Sequence, residues 1–157
     1  AKSAGNEIEF NGKKYVVEEL NEQAFDNKEI DIALFSAGGD VSQKYAPIAA
    51  SKGAIVVDNS SAWRMNDAVP LVVPEVNPED VVWNKGIIAN PNCSTIQAVV
   101  ALRPLQQKYG IKRIVYSTYQ AVSGSGVKGV TDLEEGLKGS PNKFYAQHIA
   151  NNCLPHI

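Results

Sequence analysis

The sequence predicts an α/β fold built on a parallel sheet, and three stretches carry the prediction. IDIALFSAGG from Ile30, AIVVDNS from Ala54 and GIIANPN from Gly86 are apolar runs that end in small or polar residues. Such runs suit strands covered on both faces, as in parallel sheets. Between the first two, residues 41–52 have a helical pattern. Strand, glycine turn, helix and strand make a βαβ unit, for which a right-handed crossover is expected.

Taken in order, the chain opens with an alternating stretch, IEFNGKKYVV from Ile8, that reads as a hairpin turning at Asn11-Gly12. A short helical segment is expected near Asn21 to Phe25. PLVVPEV from Pro70 reads as a further strand of the series, followed by the strand at Gly86. Helical apolar spacing then begins at Ile96 and runs through Val99, Val100 and Leu102. Ser94 and Thr95 stand where a side-chain oxygen caps a helix start. IKRIVYSTYQAV from Ile111 reads as a long strand rich in β-branched and aromatic residues, and GVKGVTDLEEGLKG from Gly126 as a helix weakened by its glycines. The tail from Ser140 to Ile157 has no clear period.

Composition narrows the function. The 157 residues leave room for one ordinary domain or for pieces of two, and 44% hydrophobic with 20% charged residues is a soluble, globular balance. A net charge of −2 argues against a nucleic-acid or membrane-surface partner. No apolar run is long enough to span a bilayer, and AKSAGNEIEF lacks the apolar core of a signal peptide, so a cytoplasmic location is expected. Cys93 and Cys153 do not make a disulfide framework. The glycosylation patterns at Asn59 and Asn92 are read as chance without a secretory signal.

Chemistry gathers at the strand ends, where open α/β sheets bind ligands. Cys93 follows the elbow Asn90-Pro91-Asn92 and falls at a helix start, where the dipole and unpaired amides favour an anion. Thiolate is the nucleophilic form of cysteine, so Cys93 is the candidate nucleophile; the alternative is a small buried hydrophobe. Ser36-Ala37-Gly38-Gly39 has side chains small enough for a ligand to approach the backbone, or is a plain strand-to-helix turn. DNSSAWRM from Asp58 places Arg64 among hydroxyl and amide side chains, where it can clamp phosphate or carboxylate bidentately, unless it is a solvated surface residue. The fourth loop, YQAVSGSGVKG, offers Gln120 for orienting a carbonyl or carboxylate. Gly124 to Gly129 satisfies G-x-G-x-x-G, but no acidic residue stands about 20 positions on, so a flexible loop beside the cysteine site is the preferred reading.

ANPNCSTIQ, with FSAGG before it and STYQAVSGSG after it, resembles bacterial-type aspartate-β-semialdehyde dehydrogenase, and VVDNSSAWRM and PLVVPEVN fit the same pattern. The resemblance runs in order from Lys2 to Gly126, with a looser match in FYAQHIANNCLPHI. It implies a partial Rossmann-like NADP-binding domain over residues 1–92 and, from 93 to 157, the truncated start of a catalytic and dimerisation domain. It also implies a homo-oligomer, NADP as cofactor and no metal. The implied reaction interconverts aspartyl phosphate and aspartate semialdehyde through a thioester on Cys93, in lysine, threonine and methionine biosynthesis. Arg64 matches the phosphate-binding arginine, Asn92 the asparagine beside the nucleophile, and Gln120 the substrate-positioning glutamine. Ser36, Ala37, Gly38, Ser123 and Gly124 are implied at the cofactor. Lys2 and Ser3 match a basic-Ser pair near the 2′-phosphate of NADP, with lysine in place of the more usual arginine.

By the same resemblance the sequence reads as a middle fragment, lacking the glycine-rich pyrophosphate loop and the general-base histidine, so the chain alone is expected to be inactive. His148, His156 and Cys153 match no catalytic motif and read as surface or packing residues. Three other readings stay open: an N-acetylglutamyl-phosphate reductase-like enzyme, a Cys-His hydrolase, and a non-catalytic assembly piece whose exposed strand edges pair with another chain.

Overall fold

The computed structural model describes residues 3–155. The chain divides into two compact units, one ending at Ile111 and the other beginning at Lys112.

The first unit opens with an antiparallel hairpin, β1 (Glu7–Phe10) and β2 (Lys13–Val16), in which Ile8 faces Tyr15 and Phe10 faces Lys13. Its turn is the one expected: Asn11 and Gly12 have φ of 49° and 72°, the pair of positive values that a two-residue type I′ turn requires. The helix expected near Asn21 to Phe25 does not form. The Asn21 side chain accepts the Gln23 N–H, and Ala24 and Asp26 close turns on Asn21 and Gln23. This is the local bonding by which asparagine draws a chain away from helix.

Three strands form the parallel sheet, β3 (Ile32–Phe35), β4 (Ile55–Asp58) and β5 (Ile87–Ala89), in the order β3-β4-β5. Helix α1 (Gly39–Ser51) connects β3 to β4. The core joins Phe35, Val56 and Ile87 of the sheet to Ala46 and Ala49 of the helix, with Ala54 beside them. Alanine on the helix face lets α1 lie close to the sheet. Gly86, at φ 96°, marks the closest approach, because a β-carbon there would stand 2.8 Å from Ala50 Cβ.

Among the described residues the expected cover on both faces is incomplete: one face packs on α1, and on the other Val57 and Ile88 are half-buried while β3 lies open. Ile32 and Leu34 on the other face are 64% and 80% exposed. The stretch from Pro70 does not form the full strand expected. Its ladder is a single parallel bridge, Leu71 to Ala89, with Ala89 N–H donating to Pro70 O and Val72 N–H to Ala89 O. Pro70 and Pro74 have no N–H to extend it. The Asn77 side chain then bonds both Val73 N–H and Leu71 O, folding the segment back into turns and a 3₁₀ turn at Pro78–Trp83. Helix α2 (Cys93–Tyr109) closes the unit.

In the second unit the long strand expected from Ile111 is absent. Residues 111–121 have extended sequence character but no ladder, and Val115 and Tyr119 are 74% and 87% exposed. A strand is defined by its hydrogen-bonded neighbour, and none is present among the described residues. A 3₁₀ turn (Val122–Ser125) leads into α3 (Val127–Leu137), the expected second helix. The tail folds onto α3 through buried Asp132, whose carboxylate accepts the backbone N–H groups of Lys143, Phe144 and Tyr145 at 2.9, 2.7 and 2.8 Å. Gly129 permits this approach, since a β-carbon there would meet Tyr145 Oη at 2.8 Å.

Candidate active site

The ends of β3, β4 and β5 lie side by side at the carboxyl edge of the sheet, so three loops meet there although they are far apart in sequence. Backbone bonds continue the ladder past the strands: Asn59 N–H donates to Phe35 O, and Asn90 N–H to Asp58 O, both at 2.8 Å. The loops carrying Ser36, Arg64 and Cys93 therefore begin in register.

Arg64 is not a solvated surface residue. It is half-buried, its Nε donates to Asn90 O at 2.9 Å, and its Nη2 donates to Asn59 O at 3.2 Å. One carbonyl belongs to the loop after β4 and the other to the loop after β5, so the guanidinium bridges both. Two donor directions are used, which leaves three of the five N–H groups for a ligand. The loop that carries Arg64 is shaped by Asp58, a fully buried carboxylate that accepts the Ser60 hydroxyl at 2.7 Å. Ser60 Oγ in turn accepts the Ala62 N–H, and Trp63 Nε1 donates to Ser42 Oγ of α1 at 3.0 Å.

Cys93 is the first residue of α2 and is exposed, as a nucleophile at a helix start requires. The cap differs from the expectation. Asn92, not Ser94 or Thr95, occupies the capping position, and its Oδ1 accepts the Ser94 N–H at 3.0 Å. Asparagine is among the strongest caps because its short side chain reaches the second free amide of the helix. Asn92 thus acts on the turn that holds Cys93.

Ser36, Ala37 and Gly38 form the turn between β3 and α1. Gly38 has φ 97°, no side chain caps the helix there, and the space beside the Gly38 α-carbon is open. Ser3 lies in an exposed turn ahead of β1, and Lys2 falls outside the described residues, as does His156. In the second unit, Gln120 lines an open surface depression together with Val122, Leu133, Ile149 and the exposed Cys153. Ser123 and Gly124 lie in the 3₁₀ turn beside it. His148 is exposed and packs its ring near Gly136. Among the described residues no group of His, Cys, Asp and Glu is placed to hold a metal ion, and no helix is long and apolar enough to cross a membrane.

In the sequence, Asp58, Asn59 and Ser60 read only as the polar surroundings of Arg64, and Asn90 only as part of a polar elbow; none stands there as a candidate site residue. The signal for them is the DNSS string directly after a buried strand, since asparagine, aspartate and serine side chains bond nearby backbone in turns.

Residues 1–83 match the family model described as the NAD-binding domain of semialdehyde dehydrogenase, and residues 102–157 match that of its dimerisation domain. The chain is 57% identical over 166 residues to aspartate-semialdehyde dehydrogenase of Aquifex aeolicus, covering 99% of this chain and 48% of that protein. It is 57% identical over 168 residues to the enzyme of Campylobacter jejuni, covering 100% and 49%. Among solved structures it resembles aspartate semialdehyde dehydrogenase II of Vibrio cholerae complexed with ASA, at TM-score 0.81 and 47% identity over 99% of this chain and 48% of that one. A Candida albicans aspartate semialdehyde dehydrogenase with NADP matches at TM-score 0.57 and 30% identity over 71% of this chain and 38% of that one. The chain spans about half the length of the curated relatives it matches. An exposed cysteine at a helix start, an arginine bridging to its elbow, and both matched segments agree: the chain belongs to the semialdehyde dehydrogenase family.

Proposed function

We propose that this chain supplies the nucleophile and part of the cofactor site of an NADP-dependent, phosphorylating aspartate-semialdehyde dehydrogenase that serves lysine, threonine and methionine biosynthesis. The observation that carries the reading is the Arg64 Nε bond to Asn90 O, three residues ahead of Cys93. It ties a cation with unused donors to the elbow of a thiol. In the reductive direction, Cys93 Sγ bonds the carbonyl carbon of aspartyl phosphate. The bond from that carbon to the phosphate oxygen breaks, and phosphate departs with the electron pair. Arg64 stabilises the charge gathering on phosphate, as a planar donor fork does. The acyl group is left as a thioester on Cys93, so one hard displacement becomes two easier steps. In this assignment Asn92 holds the turn around Cys93, and Gln120 positions the substrate.

The turn at Ser36, Ala37 and Gly38 fits a dinucleotide on structural grounds. Open space beside Gly38 admits a ligand to the backbone, and α1 has no side-chain cap there. Asp40 in the first turn of α1 disfavours phosphate at that end, so the turn suits an uncharged part of the cofactor. NADPH, when bound, supplies the hydride that reduces the thioester. By the family resemblance, Ser123 and Gly124 are also assigned to the cofactor, and Lys2 and Ser3 to its 2′-phosphate. The functional division we propose falls at Cys93, with residues 1–92 in the nucleotide-binding half and 93–157 opening the catalytic and dimerisation half of a homodimer in the cytoplasm.

The test is NADPH formation from aspartate semialdehyde, phosphate and NADP by a full-length dehydrogenase carrying this sequence. Turnover that vanishes with Cys93→Ser supports the assignment, and turnover that survives it excludes Cys93 as nucleophile. The 157-residue chain alone is proposed to give none, because hydride transfer tolerates little misplacement: about 1 Å costs ~10²-fold.

A further inference from the structure

Arg64, Asn59 and Asn90 form a closed ring. Arg64 Nε donates to Asn90 O at 2.9 Å and Arg64 Nη2 to Asn59 O at 3.2 Å. The third side is made by the two asparagine side chains themselves, Asn90 Nδ2 donating to Asn59 Oδ1 at 2.7 Å. The asparagines lie 31 positions apart, and each follows directly on its strand, β4 or β5. Both backbones are pinned by the ladder bonds to Phe35 O and Asp58 O. The two carbonyls that grip Arg64 are therefore fixed relative to each other by the amide bridge and by the sheet.

We propose that Asn59 and Asn90 are positioning residues: their amide bridge holds the two loop carbonyls at the spacing that aims the free N–H groups of Arg64 at an anion bound beside Cys93. The inference rests on the reading of Arg64 and Cys93 given above. A guanidinium is planar and its donors have a fixed fork. Two bonds to fixed acceptors remove its rotation, so the directions of its remaining donors are set before any ligand arrives. Such preorganised donors are what stabilise charge in an active site. The chemistry of the ring also explains why amides stand at both positions. A carboxylate at either one would offset the charge of Arg64 and repel an anionic substrate, and an apolar side chain would break the bridge. Asparagines that served only to turn the chain would need no bond to each other.

The test compares alkylation of Cys93 by anionic iodoacetate and by neutral iodoacetamide in a full-length dehydrogenase carrying this sequence, followed on the Cys93 peptide by mass spectrometry. The ratio of the two rates reports the cation aimed at the thiol and cancels changes in thiol reactivity or general stability. Arg64→Ala is expected to lower the ratio about tenfold, and Asn59→Ala and Asn90→Ala about three- to tenfold each. The double variant is expected to lose no more than either single variant, because both remove the same bond. Should Asn59→Ala fail to fold, Asn59→Ser, whose hydroxyl is too short to replace the amide, is expected to behave alike. If Arg64→Ala lowers the ratio and the asparagine variants leave it unchanged, or if their losses multiply in the double variant, the coupling is refuted while the reading of Arg64 stands. If Arg64→Ala itself has no effect, that reading fails and the coupling with it.

Discussion

Arg64 and Asn90 are joined by a 2.9 Å hydrogen bond from a guanidinium nitrogen to a backbone carbonyl, across 26 positions of sequence. The bond couples the loop after β4 to the elbow that precedes Cys93, so Arg64 and Cys93 share one edge of the sheet.

Replacing Arg64 by lysine keeps the charge and removes the fork. Lysine has no second planar donor with which to bridge Asn59 O and Asn90 O while still meeting an anion. In a full-length dehydrogenase carrying this sequence, Arg64→Lys is expected to weaken phosphate use by about 10- to 100-fold, the scale of a lost charge-assisted bond pair. Steady-state kinetics with varied phosphate measures it, and unchanged constants would show that the residue does not touch substrate.

Asn92→Ala removes the cap from α2 and leaves the Ser94 amide without its acceptor. Such a loss costs about 0.5–2 kcal/mol. A lowered melting temperature with slower alkylation of Cys93 is the expected outcome. A drop in melting temperature with unchanged alkylation would confine Asn92 to helix capping.

The second unit carries a built-in acid sensitivity. Burial tends to raise the Asp132 carboxyl, but the N–H donors of Tyr145, Lys143 and Phe144, with the positive charge of Lys143, outweigh it and hold the group below the ordinary aspartate range. A depressed value favours the folded state above the unfolded pKa of about 3.9, and that contribution is lost as pH falls through the folded value. Denaturation midpoints of the wild type and Asp132→Ala are therefore expected to differ most near neutrality and to converge as pH falls through the lowered Asp132 value. A gap that persists in acid would assign the effect to packing.

Much of the fold could be read from local signals. Asn11-Gly12 specified a hairpin turn because few other pairs adopt positive φ twice, and the apolar runs at Ile32, Ile55 and Ile87 marked strands because polar flanks bounded them. Cys93 at a helix start was legible from the elbow before it. What escaped was set by tertiary bonds or by competition within a few residues. Asn21 captured a backbone amide where a helix was expected, and the prolines at 70 and 74 cut a strand to one bridge. Residues 111–121 have strand composition, but a ladder depends on a neighbour that composition does not disclose. The Asn59–Asn90 bridge, spanning 31 positions, has no local signature at all.

The central claim is that Cys93 carries the acyl group. The most direct measurement is mass spectrometry of a full-length dehydrogenase carrying this sequence, quenched in acid after incubation with aspartate semialdehyde and NADP in the absence of phosphate. A mass gain equal to one aspartyl group on the Cys93 peptide, discharged by added phosphate and absent in Cys93→Ser, is the predicted result. An unmodified Cys93 peptide in enzyme that turns over once phosphate is supplied, or the adduct on any other residue, would contradict the account.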